Sequence, residues 1–281
     1  MPTEKTACRL IAFDLDGTLL DNRKQLSDET LHALRAAGEA GIHLVPATGR
    51  IPAGLPEPLR GLPGLRWGIL VNGALLYDFA EESIFERAEI PVELALRVID
   101  DLDARGVLYD CYQDNWGYID RAFYEHASDY IDDPGILDLL VRLRTPVDSL
   151  RAWLAREGAP VQKLQLHTKD AALRLRLLDE LAERYPELSV TSSVPTNIEM
   201  NLAAANKGEA LLRLCRFLGV PPEATVAFGD GTNDLSLLRA AGLGVAVANA
   251  EPALLAAADR VTASNEDDGV ARTIRELLEG G

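Results

Sequence analysis

The chain has 281 residues, of which 47% are hydrophobic and 26% are charged, a composition typical of one large globular domain or two moderate ones. Its 44 Asp and Glu residues outnumber its 28 Lys and Arg residues, which gives a formal net charge of −16. This acidity argues against nucleic acids and anionic membranes as partners, because both require clustered positive charge.

Cysteine use and the N-terminal sequence favour a cytoplasmic protein. Cys8, Cys111 and Cys215 are widely separated and form no C-x-x-C pair, so we expect free thiols rather than disulfides. The first apolar stretch is too short for a signal peptide and runs directly into Asp14. No uncharged apolar run approaches the roughly 20 residues that a membrane-spanning helix needs.

Short apolar runs alternate with a helical pattern at the start of the chain. The sequence predicts strands at Leu10–Phe13, 42–47 and 69–71, with a helix between the first two. Ser27 is the predicted N-cap of that helix, because a serine hydroxyl accepts a hydrogen bond from a free backbone N–H of the first turn. Gly41 is the predicted stop.

The middle of the chain has a different pattern, in which helices lie beside antiparallel hairpins. The predicted elements are a helix at 91–105, a hairpin of strands 107–111 and 116–119, a strand at 161–168, a helix at 171–185, and strands 190–194 and 198–202 paired across the Pro195-Thr196-Asn197 turn. Such a mixture of helices and hairpins indicates an α+β module rather than a continuation of a parallel sheet.

The last part of the chain returns to apolar strands separated by helices. Strands are predicted at 225–228, 243–247 and 260–262, and helices at 235–241, 252–258 and 269–278. Strands without polar alternation are typical of a parallel sheet that is covered on both faces. We therefore predict an α/β fold: a doubly wound, Rossmann-like parallel-sheet core formed by residues 1–87 and 199–281, with an inserted α+β cap domain at residues 88–198.

Polar residues follow the predicted core strands at the point where each strand ends. Asp14 and Asp16 follow the first strand, Thr48-Gly49-Arg50 follows the second, and Asp230 follows the strand at 225–228, while Lys207 opens the helix leading into that strand. The carboxyl ends of parallel strands form the binding crevice of such sheets. We therefore expect these side chains to converge on one site.

Each of these clusters also has a structural interpretation. Asp-Gly is a common turn signal, and a lone lysine at a helix start is more often solvated than catalytic. The D-x-D pattern at Asp14 is not an EF-hand, because the glycine comes too early and Gln25 stands where the loop needs a glutamate. The presence of four such clusters in order favours a functional site over a set of polar turns.

The chemistry that suits this combination is phosphoryl transfer through a covalent intermediate. A carboxylate at a strand end, Asp14, can attack phosphorus, and a divalent cation such as Mg²⁺ would offset the repulsion between the two anions. Lys207 and the Thr48 hydroxyl would hold the phosphate oxygens, with backbone amides near Gly49. Asp16 is placed to protonate the leaving alcohol and then to activate water.

Four motifs in this order resemble those of the haloacid dehalogenase superfamily. They are "DLDGTLLD" from Asp14, "ATGR" from Ala47, "NKGEAL" from Asn206 and "GDGTNDLSLL" from Gly229. The segments "VNGA", "VAVANA" and "VTASNEDDGVA" resemble more narrowly the Cof-like phosphatase branch, which carries an α/β cap inserted between the second and third motifs. "VANA" departs from the branch, where a glycine usually precedes the asparagine.

The resemblance implies specific roles for the motif residues. It implies an aspartyl-phosphate on Asp14, acid–base work by Asp16, Mg²⁺ held by Asp14, the backbone carbonyl of Asp16 and Asp230, phosphate binding by Thr48, Gly49, Arg50 and Lys207, and a supporting role for Asn233 and Asp234 around the metal and Lys207. These assignments make the chain an enzyme whose substrate is a small phosphorylated molecule.

Several functions remain open at this stage. The leading hypothesis is a Mg²⁺-dependent phosphatase whose cap forms a lid over the site and selects the leaving group. A phosphomutase or phosphotransferase would use the same intermediate, and a receiver-type signalling module would store phosphate on Asp14 without turnover. No G-x-G-x-x-G or G-x-S-x-G motif supports a dinucleotide-binding protein or a serine hydrolase.

The sequence leaves the substrate and the oligomeric state undetermined. Cap positions 110–118, His167 and the turn at 195–197 offer polar and aromatic groups that could contact a leaving group. A structural or solvent-exposed role is the more frequent one for residues of these types.

Overall fold

Two units make up the polypeptide in the computed structural model, which describes residues 7–192, 194 and 196–280. The first, called here the core unit, consists of the chain up to Arg87 and from Asn206 onward. The second, called here the cap unit, is Ala88–Ala205. Two segments that are distant in sequence therefore build the core unit together.

Strands and helices alternate along most of the chain. The strands are β1 (Leu10–Phe13), β2 (His43–Pro46), β3 (Trp67–Leu70), β4 (Leu75–Asp78), β5 (Ser83–Arg87), β6 (Leu108–Gln113), β7 (Trp116–Asp120), β8 (Arg144–Val147), β9 (Lys163–His167), β10 (Leu188–Thr191), β11 (Asn197–Leu202), β12 (Thr225–Gly229), β13 (Leu243–Ala246) and β14 (Arg260–Val261). The α-helices are α1 (Asp28–Glu39), α2 (Val92–Asp103), α3 (Arg121–Glu125), α4 (Pro134–Arg142), α5 (Leu150–Glu157), α6 (Ala171–Arg184), α7 (Lys207–Leu218), α8 (Leu235–Ala240), α9 (Pro252–Ala257) and α10 (Gly269–Glu279).

A five-stranded sheet forms the centre of the core unit, in the order β14-β13-β12-β1-β2. Every neighbouring pair in this sheet is parallel. Helices α1 and α10 pack on each other, as do α7 and α8, and the apolar sides of these helices share one core with the strands. The α/β fold predicted from the alternation of strands and helices is confirmed.

Strand β1 lies inside this sheet, between β12 and β2. All four of its residues, Leu-Ile-Ala-Phe, are fully buried, as expected for a parallel strand covered on both faces. Its neighbours run in the same direction, so the residues that follow β1, β2 and β12 emerge at one edge of the sheet.

Helix α1 begins and ends as its sequence indicates. The Ser27 side chain accepts a hydrogen bond from the Thr30 amide, and Asp28 and Glu29 occupy the first turn, where carboxylates interact favourably with the helix dipole. Gly41 follows the helix with a φ of 83°, a backbone conformation that glycine adopts without steric cost.

The third predicted strand differs from expectation. It begins at Trp67 and ends at Leu70, and it pairs antiparallel with β4 in a three-stranded sheet of order β3-β4-β5. A single parallel bridge between Ala47 and Ile69 connects it to the end of β2. The chain turns back at Val71–Gly73, so the apolar run at 69–71 ends in a tight turn rather than in a longer core strand.

The cap unit contains a six-stranded sheet in the order β10-β11-β9-β6-β7-β8. The two predicted hairpin pairings, β6 with β7 and β10 with β11, are present and antiparallel. Pro195, in the predicted turn before β11, lies outside the described residues. β11 continues to Leu202 and pairs with β9, so the residues from 199 to 205, which the sequence analysis placed in the core, group with the cap unit.

The two faces of the cap sheet have different chemistry. Side chains alternate between faces along a strand, and one face contributes Tyr109, Cys111, Leu164, Ile198 and others to an apolar core with α2, α5 and α6. Helices α3 and α4, which the sequence analysis did not predict, cover part of the opposite face around Leu108 and Ile119.

Four buried charges share that opposite face in two ion pairs. Arg144 Nε lies 3.0 Å from Asp110 Oδ1, and Lys163 Nζ lies 3.0 Å from Glu199 Oε1. Tyr112 stands between the two cations: the Arg144 guanidinium and the Lys163 ammonium lie 4.3 and 4.5 Å from its ring centre, and its hydroxyl accepts a hydrogen bond from Arg144. Each buried charge on this face therefore faces a partner of opposite sign.

None of the helices among the described residues is both long and apolar enough to cross a membrane.

Candidate functional site

The edge of the core sheet brings together the residues that follow β1, β2 and β12. The Asp14 amide donates to the carbonyl of Phe228 in β12 at 3.0 Å, and the Ala47 amide donates to the carbonyl of Phe13 in β1 at 2.8 Å. These bonds continue the ladders of the sheet beyond the strand ends. They hold Asp14 between the "ATGR" turn and the loop that carries Asp230.

Lys207 connects the predicted nucleophile to the "GDGTND" loop. Its Nζ lies 2.7 Å from Asp14 Oδ1 and 2.6 Å from Asp234 Oδ1, and its side chain is fully buried. The lysine is the first residue of α7, where Asn206 caps the helix by accepting a hydrogen bond from the Glu209 amide. The cap fixes the start of the helix and thereby the direction of the lysine side chain.

Asp234 organises the loop on the other side of Lys207. It is fully buried; one carboxylate oxygen contacts Lys207, and the other accepts hydrogen bonds from the amides of Asp230 and Gly231 at 3.1 and 3.2 Å. A single carboxylate therefore fixes both the lysine and the backbone beside Asp230. Asn233, also predicted as a supporting residue, lies in the same helical turn, Thr232–Asp234.

Three carboxylates converge at this point. One oxygen each from Asp14, Asp230 and Asp234 lie within 4.8 Å of one another. Asp230 is held by Thr18, whose hydroxyl donates to Asp230 Oδ1 at 2.7 Å. The predicted proximity of Asp14 and Asp230 is thus present, with the Asp234 side chain as the third member of the group.

Burial and neighbouring negative charge together perturb the pKa values of this group. Burial and the neighbouring carboxylates raise the pKa of Asp14 although the Lys207 ammonium opposes the shift. Burial and Asp234 raise the pKa of Asp230 to about 6. Burial alone would lower the pKa of Lys207, but Asp14 and Asp234 outweigh it and raise that pKa. One ammonium therefore does not neutralise three carboxylates.

Asp16 has a different environment from Asp14. Arg50 binds both of its carboxylate oxygens at 2.7 Å, and Lys24 Nζ lies 2.9 Å from Oδ1. Burial would raise the pKa of Asp16, but the hydrogen bonds and charges of Arg50 and Lys24 prevail and lower it to about 2. The Asp16 side chain is thus an ionised carboxylate directed at two cations, which leaves its backbone carbonyl for the predicted metal contact.

The "ATGR" turn is held by the chain on both sides. The buried Thr48 donates its amide to Ile69, and its carbonyl accepts a hydrogen bond from the Asn72 amide. Gly49 follows it, and Arg50 donates an additional hydrogen bond to the Gly54 carbonyl at 2.9 Å. Arg50, predicted to contact phosphate, therefore has Asp16 and Gly54 as partners in this structure.

Two residues of the site were missed in the sequence analysis. Thr18 directly follows the D-x-D-G turn, so its position next to the aspartates was a usable signal for a hydroxyl near the site. Lys24 gave no such signal, because it lies in a polar loop outside the motifs. Its contact with Asp16 depends on a left-handed backbone conformation at Lys24, with a φ of 62°, which the sequence does not indicate.

The donor set fits a hard divalent cation. Mg²⁺ takes oxygen ligands and retains several waters, so it binds through a few carboxylates rather than a complete protein cage. Asp14 and Asp230 offer carboxylate oxygens, whereas both oxygens of Asp234 already accept hydrogen bonds from Lys207 and backbone amides. In Asp14 and Asp230 the contacts with Lys207 and Thr18 involve Oδ1, so Oδ2 of each is the candidate oxygen for such an ion.

Known proteins resemble this chain along almost its whole length. The family model of haloacid dehalogenase-like hydrolases matches residues 11–274. Phosphatase YwpJ of Bacillus subtilis is 31% identical, with 96% of this chain and 100% of the relative covered. Pyridoxal phosphate phosphatase YbhA of Escherichia coli is 32% identical over 96% of this chain and 98% of its own.

A solved structure agrees with these relatives. A haloacid dehalogenase-like hydrolase from B. subtilis superposes with a TM-score of 0.81 at 30% sequence identity and covers 96% of this chain and 100% of its own. The similarity extends over both units, so it includes the inserted segment as well as the motif-bearing core.

Proposed function

The chain belongs to the haloacid dehalogenase-like hydrolases, and from this premise we propose that it is a Mg²⁺-dependent phosphatase acting on a small phosphorylated metabolite through an aspartyl-phosphate. One observation carries the proposal: the buried Asp14 carboxylate lies 2.7 Å from the Lys207 ammonium and within 4.8 Å of Asp230. A nucleophile, a cation for phosphate and a candidate metal ligand meet at one sheet edge.

Asp14 is the proposed nucleophile. One of its oxygens attacks phosphorus, the P–O bond to the leaving alcohol breaks, and an acyl phosphate forms. Water then attacks the phosphorus, releasing inorganic phosphate and restoring the carboxylate. Asp14, the Asp16 backbone carbonyl and Asp230 would hold Mg²⁺, which when bound supplies positive charge against the repulsion between carboxylate and phosphate.

The proposed phosphate-binding residues come from two of the four motifs. Lys207 is positioned by Asp14 and Asp234 to contact non-bridging phosphate oxygens. The Thr48 hydroxyl and the amides of the turn at Gly49 can donate hydrogen bonds to the same oxygens, and such fixed donors stabilise charge that develops in the transition state. Arg50 joins this set when it exchanges one Asp16 oxygen for a phosphate oxygen.

Asp16 is the proposed acid and base. As found, it is ionised and paired with Arg50 and Lys24, which suits the base that removes a proton from the attacking water. To protonate the leaving alcohol it must first carry a proton, and this requires the two cations to move away or to bind the incoming phosphate instead. The ion pair with Arg50 thus couples phosphate binding to the protonation of Asp16.

Relatives support a small phosphorylated substrate rather than a macromolecular one. YbhA is named for pyridoxal phosphate and YwpJ as a phosphatase, and each match covers 96% of this chain. The acidic composition agrees with a site that draws its positive charge from a few local residues, such as Lys207 and Arg50, rather than from the protein surface.

Phosphate release tests this proposal directly. The purified chain is incubated with a panel of sugar phosphates, phosphorylated cofactors and nucleoside monophosphates, with Mg²⁺ or with EDTA, and inorganic phosphate is measured. We expect turnover of at least one compound with Mg²⁺, loss of turnover with EDTA, and recovery when Mg²⁺ is restored. Equal activity in EDTA would contradict the metal-dependent mechanism, and an isomerised sugar phosphate in place of free phosphate would identify a mutase.

A further inference from the structure

One turn outside the four motifs contacts both loops of the proposed metal site. This turn, residues 247–251, follows β13 and is called here the bracket turn. The Val247 amide donates to the Gly229 carbonyl at 3.2 Å, and the Glu251 amide donates to the Asp230 carbonyl at 2.8 Å. The first and last residues of the bracket turn therefore both hold the backbone at Gly229 and Asp230.

The same turn reaches the loop after the nucleophile through a side chain. Asn249 Nδ2 donates to the carbonyl of Gly17 at 2.8 Å. Gly17 has a φ of 87°, and a Cβ atom at this position would lie 2.3 Å from Asp230 Oδ2. The Gly17 backbone therefore packs directly against the carboxylate that we assign to the metal.

The Gly17 carbonyl is a sensitive point because a peptide unit is planar. Fixing this carbonyl also fixes the Thr18 amide group and with it the direction in which the Thr18 side chain leaves the backbone. Thr18 Oγ1 donates to Asp230 Oδ1 at 2.7 Å. One hydrogen bond from Asn249 thus acts on the peptide that joins Gly17 to Thr18. Gly17 directly follows Asp16, whose carbonyl is a proposed ligand, and Thr18 orients Asp230.

Asn249 is itself held in a defined orientation. Its Oδ1 accepts a hydrogen bond from the Asn265 amide at 2.9 Å, so both ends of its amide group have partners and the group cannot rotate without breaking one of them. Asn265 is buried and donates through Nδ2 to the Leu20 carbonyl at 2.9 Å. A second asparagine therefore holds both Asn249 and the next part of the loop.

We propose that Asn249 is a positioning residue for the metal site, setting the separation between the loop that follows Asp14 and the loop that carries Asp230. The proposal rests on the proposed function, because it assigns a divalent cation to these two loops. Residues that orient metal ligands typically contribute 10–100-fold to metal affinity. We expect Asn249→Ala to weaken cation binding by roughly tenfold, at the lower end of that range because its contact is with the loop backbone.

Direct metal binding tests the proposal without relying on turnover. Mn²⁺, a spectroscopic substitute for Mg²⁺, is titrated into the metal-free protein and free Mn²⁺ is measured by electron paramagnetic resonance. We expect Asn249→Ala and Thr18→Val each to raise the Mn²⁺ dissociation constant. At saturating metal the KM for substrate should stay close to that of the wild type, because neither side chain is placed in the phosphate-binding set.

The matched control is Asn22→Ala. Asn22 is an exposed asparagine in the loop that follows Asp14. Its side chain accepts a hydrogen bond from Asn265 at 3.4 Å and does not hold the Gly17 carbonyl. We expect its Mn²⁺ affinity to equal that of the wild type. Thermal unfolding of each metal-free variant shows whether it is folded before titration. If Asn249→Ala does not fold, Asn249→Ser, whose side chain is too short to reach Gly17, takes its place.

The outcomes separate this proposal from the proposed function. A folded Asn249 variant that binds Mn²⁺ as tightly as the wild type overturns the positioning role and leaves the phosphatase proposal intact. A wild-type protein that binds no Mn²⁺ overturns the metal-dependent function itself. Weaker binding in the Asn249 and Thr18 variants, with the Asn22 variant unchanged, supports the positioning role.

Discussion

The core unit groups three carboxylates, two of them buried, near one ammonium group, whereas the cap unit buries two carboxylates and two cations in separate pairs. In the core, Asp14 and Asp234 share Lys207, and one Asp230 oxygen lies within 4.8 Å of an oxygen of each. Burial and the neighbouring carboxylates raise the pKa values of Asp14 and Asp230. This excess of negative charge is consistent with the proposed Mg²⁺ site, because a bound divalent cation would offset the repulsion.

In the cap, charge is balanced within each pair. Arg144 faces Asp110 and Lys163 faces Glu199, each at 3.0 Å. A buried ion pair offsets the desolvation of its members by their mutual attraction, and breaking it leaves one buried charge exposed to an apolar interior. Buried charge by itself therefore does not identify a metal site. The balance of signs within a few ångströms distinguishes a binding site from a structural pair.

The largest effect should come from Asp14→Asn. Loss of the nucleophile should lower kcat by roughly 10³-fold or more, while the thermal midpoint should not fall, because Lys207 keeps Asp234 and one repulsive charge is gone. Phosphate release and calorimetry measure the two effects. Asp28→Asn, at an exposed position in the first turn of α1, is the control. Substantial turnover by the folded Asp14 variant would remove the covalent mechanism.

In the cap, substitution of a buried charge should lower stability. Arg144→Met leaves Asp110 buried without its partner, and breaking a buried pair in this way typically costs about 3–5 kcal/mol of unfolding free energy. Arg142→Met removes an exposed pair with Asp138 and should cost less than about 1 kcal/mol. Urea unfolding followed by circular dichroism measures both. If the two variants lose equal stability, the Asp110 pair is not a structural element.

A change of pH should have a smaller effect on the unfolding free energy, through the buried His167. Burial lowers the pKa of His167 to about 4, with Arg144 and Lys163 adding to the shift and Asp110 and Glu199 opposing it. Since this pKa lies below the ordinary value of 6.5, only the unfolded chain takes up a proton between the two. Above pH 6.5 the imidazole is neutral in both states and does not reduce the unfolding free energy. As the pH falls towards 4, the unfolding free energy decreases by up to roughly 3 kcal/mol.

Replacing the histidine should flatten this dependence. In His167→Gln, the unfolding free energy measured by urea titration should change less between pH 7 and pH 4 than in the wild type. His126 is an exposed histidine, with a side-chain exposure of 68%, and His126→Gln provides the control. If the His126 and His167 variants have equal pH dependence, the buried imidazole does not titrate as described.

The positions of the candidate site residues follow closely from the sequence because these residues lie at strand ends. The apolar run before Asp14 predicts a buried strand, and the direction of parallel strands then places Asp14, Thr48 and Asp230 at one edge. Lys207 opens a helix whose cap, Asn206, is visible in the sequence. The residue types and the secondary structure were therefore sufficient to predict which of these side chains approach each other.

The hairpin at β3 and β4 shows where such reasoning ends. The apolar run at 69–71 suits a parallel core strand as well as an antiparallel hairpin strand, because short apolar runs do not distinguish the two. The turn at Val71–Gly73 decides in favour of a hairpin. Val71 and Asn72 both have positive φ values, a conformation that a β-branched residue such as Val71 adopts only under tertiary constraint.

The cap charges could not be predicted from sequence for another reason. The alternation in "LYDCYQ" places Asp110 and Tyr112 on the face opposite Cys111, but periodicity does not reveal whether that face is covered. The partner of Asp110, Arg144, lies two strands away in the sheet and follows a helix, α4, that was not predicted. Long-range pairing of this kind depends on the tertiary arrangement of the whole sheet.

Strand β1 receives its partner β12 from the far end of the chain, and this order affects how the protein is made. Leu10 pairs with Thr225, and the Asp14 amide donates to the Phe228 carbonyl, so a ribosome must synthesise the entire cap unit before β1 gains that neighbour. Pairing across so long a separation is slow, since a large loop has to close first. A nascent chain that stops within the cap therefore carries β1 with one side open, and catalytic competence arises only after synthesis is nearly complete.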